Sequence, residues 1–203
     1  MKFRSFSLGD MAVNAYLLFD EESKGAALFD APMEAEDVLG FLRENGLTLE
    51  YIFLTHAHFD HIWALDAVKS ATGAKVVVHR LEEKYLNDSS LNLSYMPLPT
   101  VSADILLEDG DTIDFHGTEI RVIHTPGHTE GGVCYLFDVF LVCGDTLFKG
   151  SIGRFDFPGG DYKTEIRSIK EKLMVLPDSL NVYPGHGAAT TIGDERKENP
   201  YLI

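Results

Sequence analysis

Apolar residues fall in short runs along the first half of the chain, and turn-forming residues separate them. Short runs rich in leucine, β-branched and aromatic side chains are typical of strands. The runs predict strands at residues 2–7, 14–19, 26–29, 51–54 and 75–78. Helical spacing and start and stop residues such as Asn45-Gly46 predict helices at residues 34–44, 62–70 and 81–86. The polar stretch over residues 87–100 is interpreted as a loop.

The second half contains more predicted strands. Asp109-Gly110 and His116-Gly117 are turn signals between apolar runs. The runs predict strands at residues 105–107, 112–115, 119–124, 132–137, 140–143 and 181–183. A glycine-rich loop is predicted at residues 144–160, followed by a helix at 162–174. Strands with helices interspersed among them indicate either two sheets or one large sheet covered by helices.

Composition narrows the class of protein. Of the 203 residues, 45% are hydrophobic and 24% charged, the profile of a soluble globular protein. The chain has 17 basic and 32 acidic residues, and its net charge is −15. A charge of this sign repels phosphate backbones and anionic lipids. We therefore expect no nucleic-acid partner and no membrane partner, and the sequence leaves the oligomeric state open. Two cysteines are too few for a disulfide scaffold, and no signal-peptide pattern opens the chain, so we expect a cytoplasmic protein.

The clearest chemical signal is the segment Thr55-His56-Ala57-His58-Phe59-Asp60-His61. It follows a predicted strand and precedes a predicted helix. His56 and His58 are two residues apart, so their side chains project to the same side of an extended segment. Asp60 and His61 follow where the backbone turns into the helix, whose positive end suits the Asp60 carboxylate. Imidazole and carboxylate groups bind zinc, iron and manganese, so this segment predicts ligands for two neighbouring ions.

Three later loops each add one residue of a ligand type, namely His128, Asp145 and His186. Each residue stands beside glycine and follows a predicted strand, a position where sites commonly form. A single histidine in a turn is most often solvated, but four such loops together favour one shared metal site. The remaining histidines, His79, His116 and His124, are interpreted as ordinary structural residues.

In this order the motifs resemble the metallo-β-lactamase superfamily, and more closely its short glyoxalase II-like hydrolases. The resemblance extends from Asn14 to Leu202 and includes the segments 144–148 and 151–154. It implies an α+β fold, a four-layer αβ/βα sandwich of two mixed sheets with helices outside. It also implies a dinuclear metal site at one edge of the sandwich.

The resemblance implies roles for the candidate ligands. One divalent ion would bind His56, His58 and His128, the other would bind Asp60, His61 and His186, and Asp145 would bridge the two. Zinc is the expected metal, with iron and manganese as alternatives, and Asp60 and Asp145 are the expected catalytic residues. Longer glyoxalase II enzymes carry a C-terminal helical domain that helps bind glutathione. We expect a single domain over residues 1–203 without it.

Arg154 is the candidate substrate-binding residue. It stands where those enzymes place a basic glutathione contact, whereas Asp156 stands where they place a tyrosine. Its guanidinium could hold a substrate carboxylate through two hydrogen bonds. The alternative is a structural ion pair with Asp156 or Asp161.

A site with two divalent ions predicts hydrolysis by a metal-bridging hydroxide, because bound ions lower the pKa of water to about 7. The predicted substrate is a small thioester such as S-lactoylglutathione, because a thiolate leaves without a strong general acid. The alternative is a persulfide dioxygenase-like enzyme with one iron held by His56, His128 and Asp145. The net charge disfavours a nuclease of the same superfamily, and the full ligand set disfavours a non-catalytic module.

Overall fold

Two six-stranded sheets form the centre of the fold in the computed structural model, which describes residues 1–203. The first sheet has the spatial order β1 (Lys2–Leu8), β2 (Val13–Phe19), β3 (Gly25–Phe29), β4 (Thr48–Phe53), β5 (Lys75–His79) and β6 (Ile105–Leu107). Strands β1 to β3 pair antiparallel, and β3 to β6 pair parallel, so this sheet is mixed.

The second sheet begins in the chain with β7 (Thr112–Phe115), β8 (Thr118–His124), β9 (Val133–Leu136) and β10 (Phe140–Gly144). A two-stranded hairpin of β11 (Leu147–Phe148) and β12 (Ser151–Ile152) follows, and β13 (Asn181–Pro184) and β14 (Thr190–Thr191) complete the sheet. Its spatial order is β14-β13-β10-β9-β8-β7. Only β10 and β13 pair parallel, so this sheet is mixed as well.

The helices are α1 (Glu36–Asn45), α2 (Phe59–Ile62), α3 (Leu65–Thr72), α4 (Ser89–Asn92), α5 (Tyr162–Ser168) and α6 (Ile192–Glu198). A 3₁₀ turn covers Glu83–Asn87, and a π-helical turn covers Ile169–Leu173. Helices α1 and α3 pack on the outer face of the first sheet, whereas the π turn and α6 pack on the outer face of the second. No helix is both long enough and apolar enough to cross a membrane.

Apolar side chains fill the space between the sheets because residues on both faces of the central strands are buried. On β2, Leu17 joins the outer core with α1 and α3, while Tyr16 and Leu18 point toward the second sheet. Phe29 stacks on Phe53, with ring centroids 5.2 Å apart, and both lie edge-on to Tyr135 of the second sheet. These layers confirm the four-layer sandwich.

Five predicted elements differ from the structure in detail. The helix predicted at residues 81–86 is the 3₁₀ turn Glu83–Asn87, and the loop predicted at residues 144–160 contains the hairpin of β11 and β12. The helix predicted at residues 62–70 is two helices, α2 and α3, because the backbone leaves helical geometry at Ala64. The helix predicted at residues 162–174 continues from α5 as the π turn, in which the Met174 amide donates to the carbonyl of Ile169. The predicted loop 87–100 contains α4, because the Asp88 carboxylate accepts a hydrogen bond from the Ser90 amide and caps it.

Candidate metal centre

The seven predicted ligand residues lie together at one edge of the sandwich, where strands of both sheets end. The first sheet supplies four of them from the segment after β4, and the second supplies His128 after β8, Asp145 after β10 and His186 after β13. Their ligand atoms form three overlapping groups in which all atoms lie within 4.8 Å of one another. The groups are His56, His58 and His128; His56, His61 and Asp145; and Asp60, His61 and His186.

Asp145 lies between the two outer groups. Its Oδ1 is 3.4 Å from Nε2 of His61, and its Oδ2 is 3.8 Å from Nε2 of His128 and 3.6 Å from Nε2 of His186. Asp60 Oδ2 lies 3.2 Å from His186 Nε2 and 3.7 Å from His61 Nε2. The Asp145 carboxylate is thus within reach of the histidines of both outer groups, whereas Asp60 lies near those of one group only.

The donor atoms fit divalent metal ions. Nε2 of His56, Nε2 of His61 and Oδ1 of Asp145 are buried without a hydrogen-bond partner, an arrangement that is rare in folded proteins. Two further ring nitrogens, His58 Nδ1 and His128 Nε2, face each other at 2.9 Å. Buried nitrogen and oxygen donors that converge in this way match the ligand preference of zinc and iron.

The electrostatics of His56, His58 and Asp145 also fit metal binding, whereas Asp145, Asp60 and Asp30 raise the pKa of His61 well above its ordinary value despite its burial. Burial lowers the pKa of His58 to about 3 and that of His56 well below its ordinary value, so these rings are neutral. Burial alone would raise the pKa of Asp145, but His61, His128 and His186 lower it, so the carboxylate is ionised. Neutral imidazole and ionised carboxylate are the forms that bind metal ions.

Hydrogen bonds behind the site fix the orientation of the rings. Nδ1 of His61 donates to Oδ2 of Asp30 at 2.8 Å, and the Thr55 amide and hydroxyl donate to the same carboxylate. Nδ1 of His128 donates to the carbonyl of Arg154 at 2.6 Å, and Nδ1 of His186 donates to the carbonyl of Met11 at 3.1 Å. A bond at Nδ1 leaves Nε2 free to bind a metal ion.

Glu82 joins two of the ligand-bearing loops. Its Oε1 accepts a hydrogen bond from the Ala57 amide, and its Oε2 accepts from the Thr129 hydroxyl and the Gly131 amide. The side chain is fully buried, and burial raises its pKa to about 7. The loop that carries His56 and His58 is thereby tied to the loop that carries His128.

Glu165 is a second buried carboxyl beside the site. Neither of its oxygens has a hydrogen-bond partner, and burial raises its pKa to about 9. It packs against the backbone of Gly127, where a Cβ would lie 2.3 Å from the carboxyl and where φ is +145°. Only glycine fits at this position, directly before His128.

Residue 185 must also be a glycine, because the backbone there lies very close to Asp145 and His61. A Cβ at this position would lie 2.2 Å from Oδ1 of Asp145 and 2.7 Å from the ring of His61. The Pro184-Gly185-His186 turn can therefore approach the carboxylate only because residue 185 has no side chain.

A cavity of about 520 Å³ opens above the site, and His58, Asp60, His128, Asp145 and His186 all line it. We name it the metal cavity. Its other walls include Phe148, Lys149, Arg154 and Phe157.

Arg154 lines the metal cavity and forms the ion pair that the sequence left as an alternative. Its guanidinium donates to both carboxylate oxygens of Asp156, at 2.9 and 2.7 Å, and lies 4.1 Å from the ring centre of Phe157. The side chain remains 64% exposed. The other possible partner, Asp161, instead caps α5 by accepting from the Thr164 amide.

The sequence missed the three carboxylates Asp30, Glu82 and Glu165. Asp30 offered a local signal, because it ends an apolar strand as the metal-ligand segment does. Glu82 and Glu165 sit among other charged residues and offered none. The histidines interpreted as structural belong to none of the three groups: His79 stacks on His124, with ring centroids 4.1 Å apart, and His116 contacts Glu50.

Comparison with known proteins places the chain in a family. The family model described as "Metallo-beta-lactamase superfamily" matches residues 8–186. "Probable metallo-hydrolase YqgX" of Bacillus subtilis is 39% identical over 208 residues, with 100% of this chain and 98% of the relative covered. "Hydroxyacylglutathione hydrolase GloC" of Haemophilus influenzae is 36% identical over 196 residues, with 93% and 92% covered.

Solved structures resemble the chain over its whole length. The B3 metallo-β-lactamase BLEG-1 has a TM-score of 0.93 at 40% identity, with both chains fully covered. TTHA1623, solved in a di-iron-bound form, has a TM-score of 0.86 at 35% identity and covers 98% of this chain and 100% of its own. ETHE1 from Myxococcus xanthus has a TM-score of 0.83 at 32% identity, with 98% and 84% covered.

Proposed function

Because this chain belongs to the metallo-β-lactamase superfamily, we propose that it is a dinuclear metal-dependent hydrolase that cleaves small thioesters. The position of Asp145 carries the proposal. Its two carboxylate oxygens lie 3.4 to 3.8 Å from ring nitrogens of both histidine groups, so one side chain can bind two ions at once. A carboxylate shared by two sites is the arrangement that a dinuclear centre needs.

The proposed ligands follow the two outer groups. His56, His58 and His128 would hold one ion, Asp60, His61 and His186 would hold the other, and Asp145 would contact both. Zinc is the proposed metal, and iron and manganese suit the same nitrogen and oxygen donors. When bound, such ions supply an activated water and a Lewis acid for the substrate carbonyl.

The residues of the chain itself orient the reactants. Asp60 and Asp145 are ionised, because nearby histidines lower both pKa values despite burial, and they present their oxygens to the floor of the metal cavity. Phe148 and Phe157 supply apolar walls, and Lys149 and Arg154 supply positive charge for an anionic substrate group.

The choice of a thioester rests on what the metal cavity lacks. Apart from the proposed ligands, no carboxyl or imidazole side chain lines it. Protonation of the leaving group assists cleavage of an amide more than cleavage of a thioester, because a thiol has a pKa near 8.5 and its thiolate leaves unaided. The relative named hydroxyacylglutathione hydrolase supports the same class of substrate.

A persulfide dioxygenase-like activity is the second candidate, and the resemblance to ETHE1 favours it. One iron would bind His56, His128 and Asp145, and His128 Nε2 lies 3.8 Å from Asp145 Oδ2. This assignment leaves the buried Nε2 of His61 without a partner, and it gives Asp60 and His186 no role as ligands. The hydrolase accounts for more of the donor set.

Metal analysis combined with a substrate panel tests the proposal. Protein loaded separately with zinc, manganese and, without oxygen, ferrous iron is analysed for metal per chain. Each form is then assayed with S-lactoylglutathione, a neutral thioester, a cephalosporin and glutathione persulfide. Close to two ions and thioester cleavage are expected. One ferrous ion with oxygen consumption would establish the second candidate, and cleavage of the cephalosporin alone would make the chain a β-lactamase.

A further inference from the structure

A second cavity, of about 200 Å³, adjoins the metal cavity. Its apolar walls come from the β1–β2 turn, the segment after β3, α2 and its C-terminal flank, and the loop after α4. The side chains that matter here are Leu8, Val13, Met33, Phe59, Trp63 and Tyr95. We name it the aromatic cavity.

The two cavities are adjacent at the metal site. Met11, Phe59 and Asp60 line both of them, and Asp60 is a proposed metal ligand. A group bound in the aromatic cavity therefore lies next to a carbonyl positioned at the metal site. The two cavities therefore form neighbouring parts of one substrate-binding surface.

Three aromatic rings surround the aromatic cavity. The rings of Trp63 and Tyr95 lie 5.6 Å apart with an interplanar angle of 32°, and Phe59 lies 6.2 Å from Trp63 and 6.3 Å from Tyr95. Tyr95 is 72% exposed, although its ring faces this cluster. Apolar surface left open beside a reactive site is typical of a ligand-binding surface.

We propose that the aromatic cavity binds the acyl group of the substrate, and that this group is apolar: an aryl-acyl or short branched acyl chain. The inference rests on the thioester hydrolysis proposed above. An apolar cavity of about 150 Å³ is large enough for benzene, so this one accepts a phenyl ring or an alkyl chain of similar size. Aromatic walls stabilise such a ring beyond the burial of its area.

Charge decides which end of the thioester lies in which cavity. The aromatic cavity has no basic side chain, and its charged residues are the acidic Asp10 and Asp60. The metal cavity is more than twice as large and carries both Lys149 and Arg154. An anionic thiol therefore lies in the metal cavity, and the uncharged acyl group lies in the aromatic cavity.

A series of acyl groups on one thiol tests the specificity. The substrates are the acetyl, butyryl and phenylacetyl thioesters of 3-mercaptopropionate, and the measured value is kcat/KM for the metal-loaded enzyme. We expect phenylacetyl to exceed acetyl by about tenfold or more, because burial of several apolar carbons favours it. Tyr95→Ala should reduce this ratio by about two- to tenfold, the loss expected when one aromatic contact is removed.

Two variants complete the kinetic series. Met33→Glu places a charge inside the aromatic cavity and should remove the preference for phenylacetyl. Tyr201→Ala alters another exposed tyrosine, which lines neither cavity, and should keep the wild-type ratio. Thermal unfolding of each variant shows whether it is folded, and Tyr95→Ala, at an exposed position, keeps the test decisive if Met33→Glu fails to fold.

Trp63 provides a second readout that does not depend on catalysis, because it is the only tryptophan of the chain. Titration of metal-loaded protein with phenylacetate should change Trp63 fluorescence in a saturable way, whereas acetate at the same concentrations should not. Met33→Glu should weaken phenylacetate binding by about tenfold or more, since the added charge must be desolvated.

The outcomes separate the two proposals. Thioester cleavage with equal kcat/KM for all three acyl groups would refute the acyl assignment and leave the hydrolase intact. Saturable binding of phenylacetate, lost in Met33→Glu, would support the aromatic cavity even if no thioester were cleaved. A Trp63 signal that phenylacetate leaves unchanged would show that the aromatic cavity binds no such group and would by itself overturn the inference.

Discussion

Asp30 accepts a hydrogen bond from Nδ1 of His61 at 2.8 Å, and both side chains are almost completely buried. The same carboxylate holds the amide and hydroxyl of Thr55, directly before His56. His56 Nδ1 in turn lies 3.1 Å from the Thr55 hydroxyl. One carboxylate outside the ligand set therefore orients rings in both proposed metal sites.

We expect Asp30→Ala to lower metal affinity by about 10- to 100-fold, the usual loss when a hydrogen bond behind a metal ligand is removed. Competition with a chelator of known affinity measures the effect. Asp138→Ala, which removes an exposed carboxylate from the β9–β10 turn, is the control. Wild-type affinity in folded Asp30→Ala protein would show that His61 needs no such support.

Asp145→Ala should disturb both ions together, because its oxygens face both histidine groups. Turnover is expected to fall by a factor on the order of 10³ or more, since activation of water and stabilisation of the oxyanion both depend on the two ions. Metal analysis and thioester kinetics of the same preparation measure the two effects. Near-normal activity of Asp145→Ala would remove this residue from the mechanism.

Arg154→Ala should raise the ratio of KM for an acidic thioester to KM for a neutral one by about ten- to a hundredfold. The estimate corresponds to the loss of a charge-assisted hydrogen bond of about 1.5–3 kcal/mol. The Asp156 carboxylate already accepts two hydrogen bonds from the Arg154 guanidinium. Asp156→Ala should therefore free this group for the substrate and lower the ratio of the two KM values. If Arg154 serves only its ion pair, neither variant will shift the ratio, and both will change thermal stability alike.

The buried His79, which stacks on the half-buried His124, predicts a pH effect away from the metal site. Burial and the neighbouring His124 lower the pKa of His79 from 6.5 to about 4. The unfolded chain therefore binds more protons over this range, and the stability that His79 contributes above pH 6.5 is lost as the pH falls toward 4. In His79→Asn the new side chain can still accept a hydrogen bond from the Leu81 amide. This variant should lose less stability than the wild type between pH 6.5 and pH 4.

Thermal unfolding between pH 7 and pH 4, with and without the substitution, measures the difference. Metal-free protein is used, so that release of metal does not contribute. A wild-type and a His79→Asn curve with the same slope would show that this histidine is not the group responsible.

The sequence identified the seven candidate ligands because their signal is local. His56, His58, Asp60 and His61 stand within six residues, and the other three follow strands beside glycine. The supporting carboxylates act over long separations: Asp30 contacts a ring 31 residues later, and Glu82 contacts residues 25 before and 49 after it. Only the folded chain brings such partners together. The ion pair of Arg154 and Asp156 spans two residues, and even there the sequence could not choose between two acidic neighbours.

Each of the three possible metal groups combines residues from both halves of the chain. His56, His58, Asp60 and His61 precede β5, whereas His128, Asp145 and His186 follow β8. Neither half alone contains a complete group. A bound ion would therefore act as a non-covalent crosslink between the two sheets, formed only after they dock. Such a contact slows unfolding more than it speeds folding, so loss of metal would shorten the lifetime of the native state.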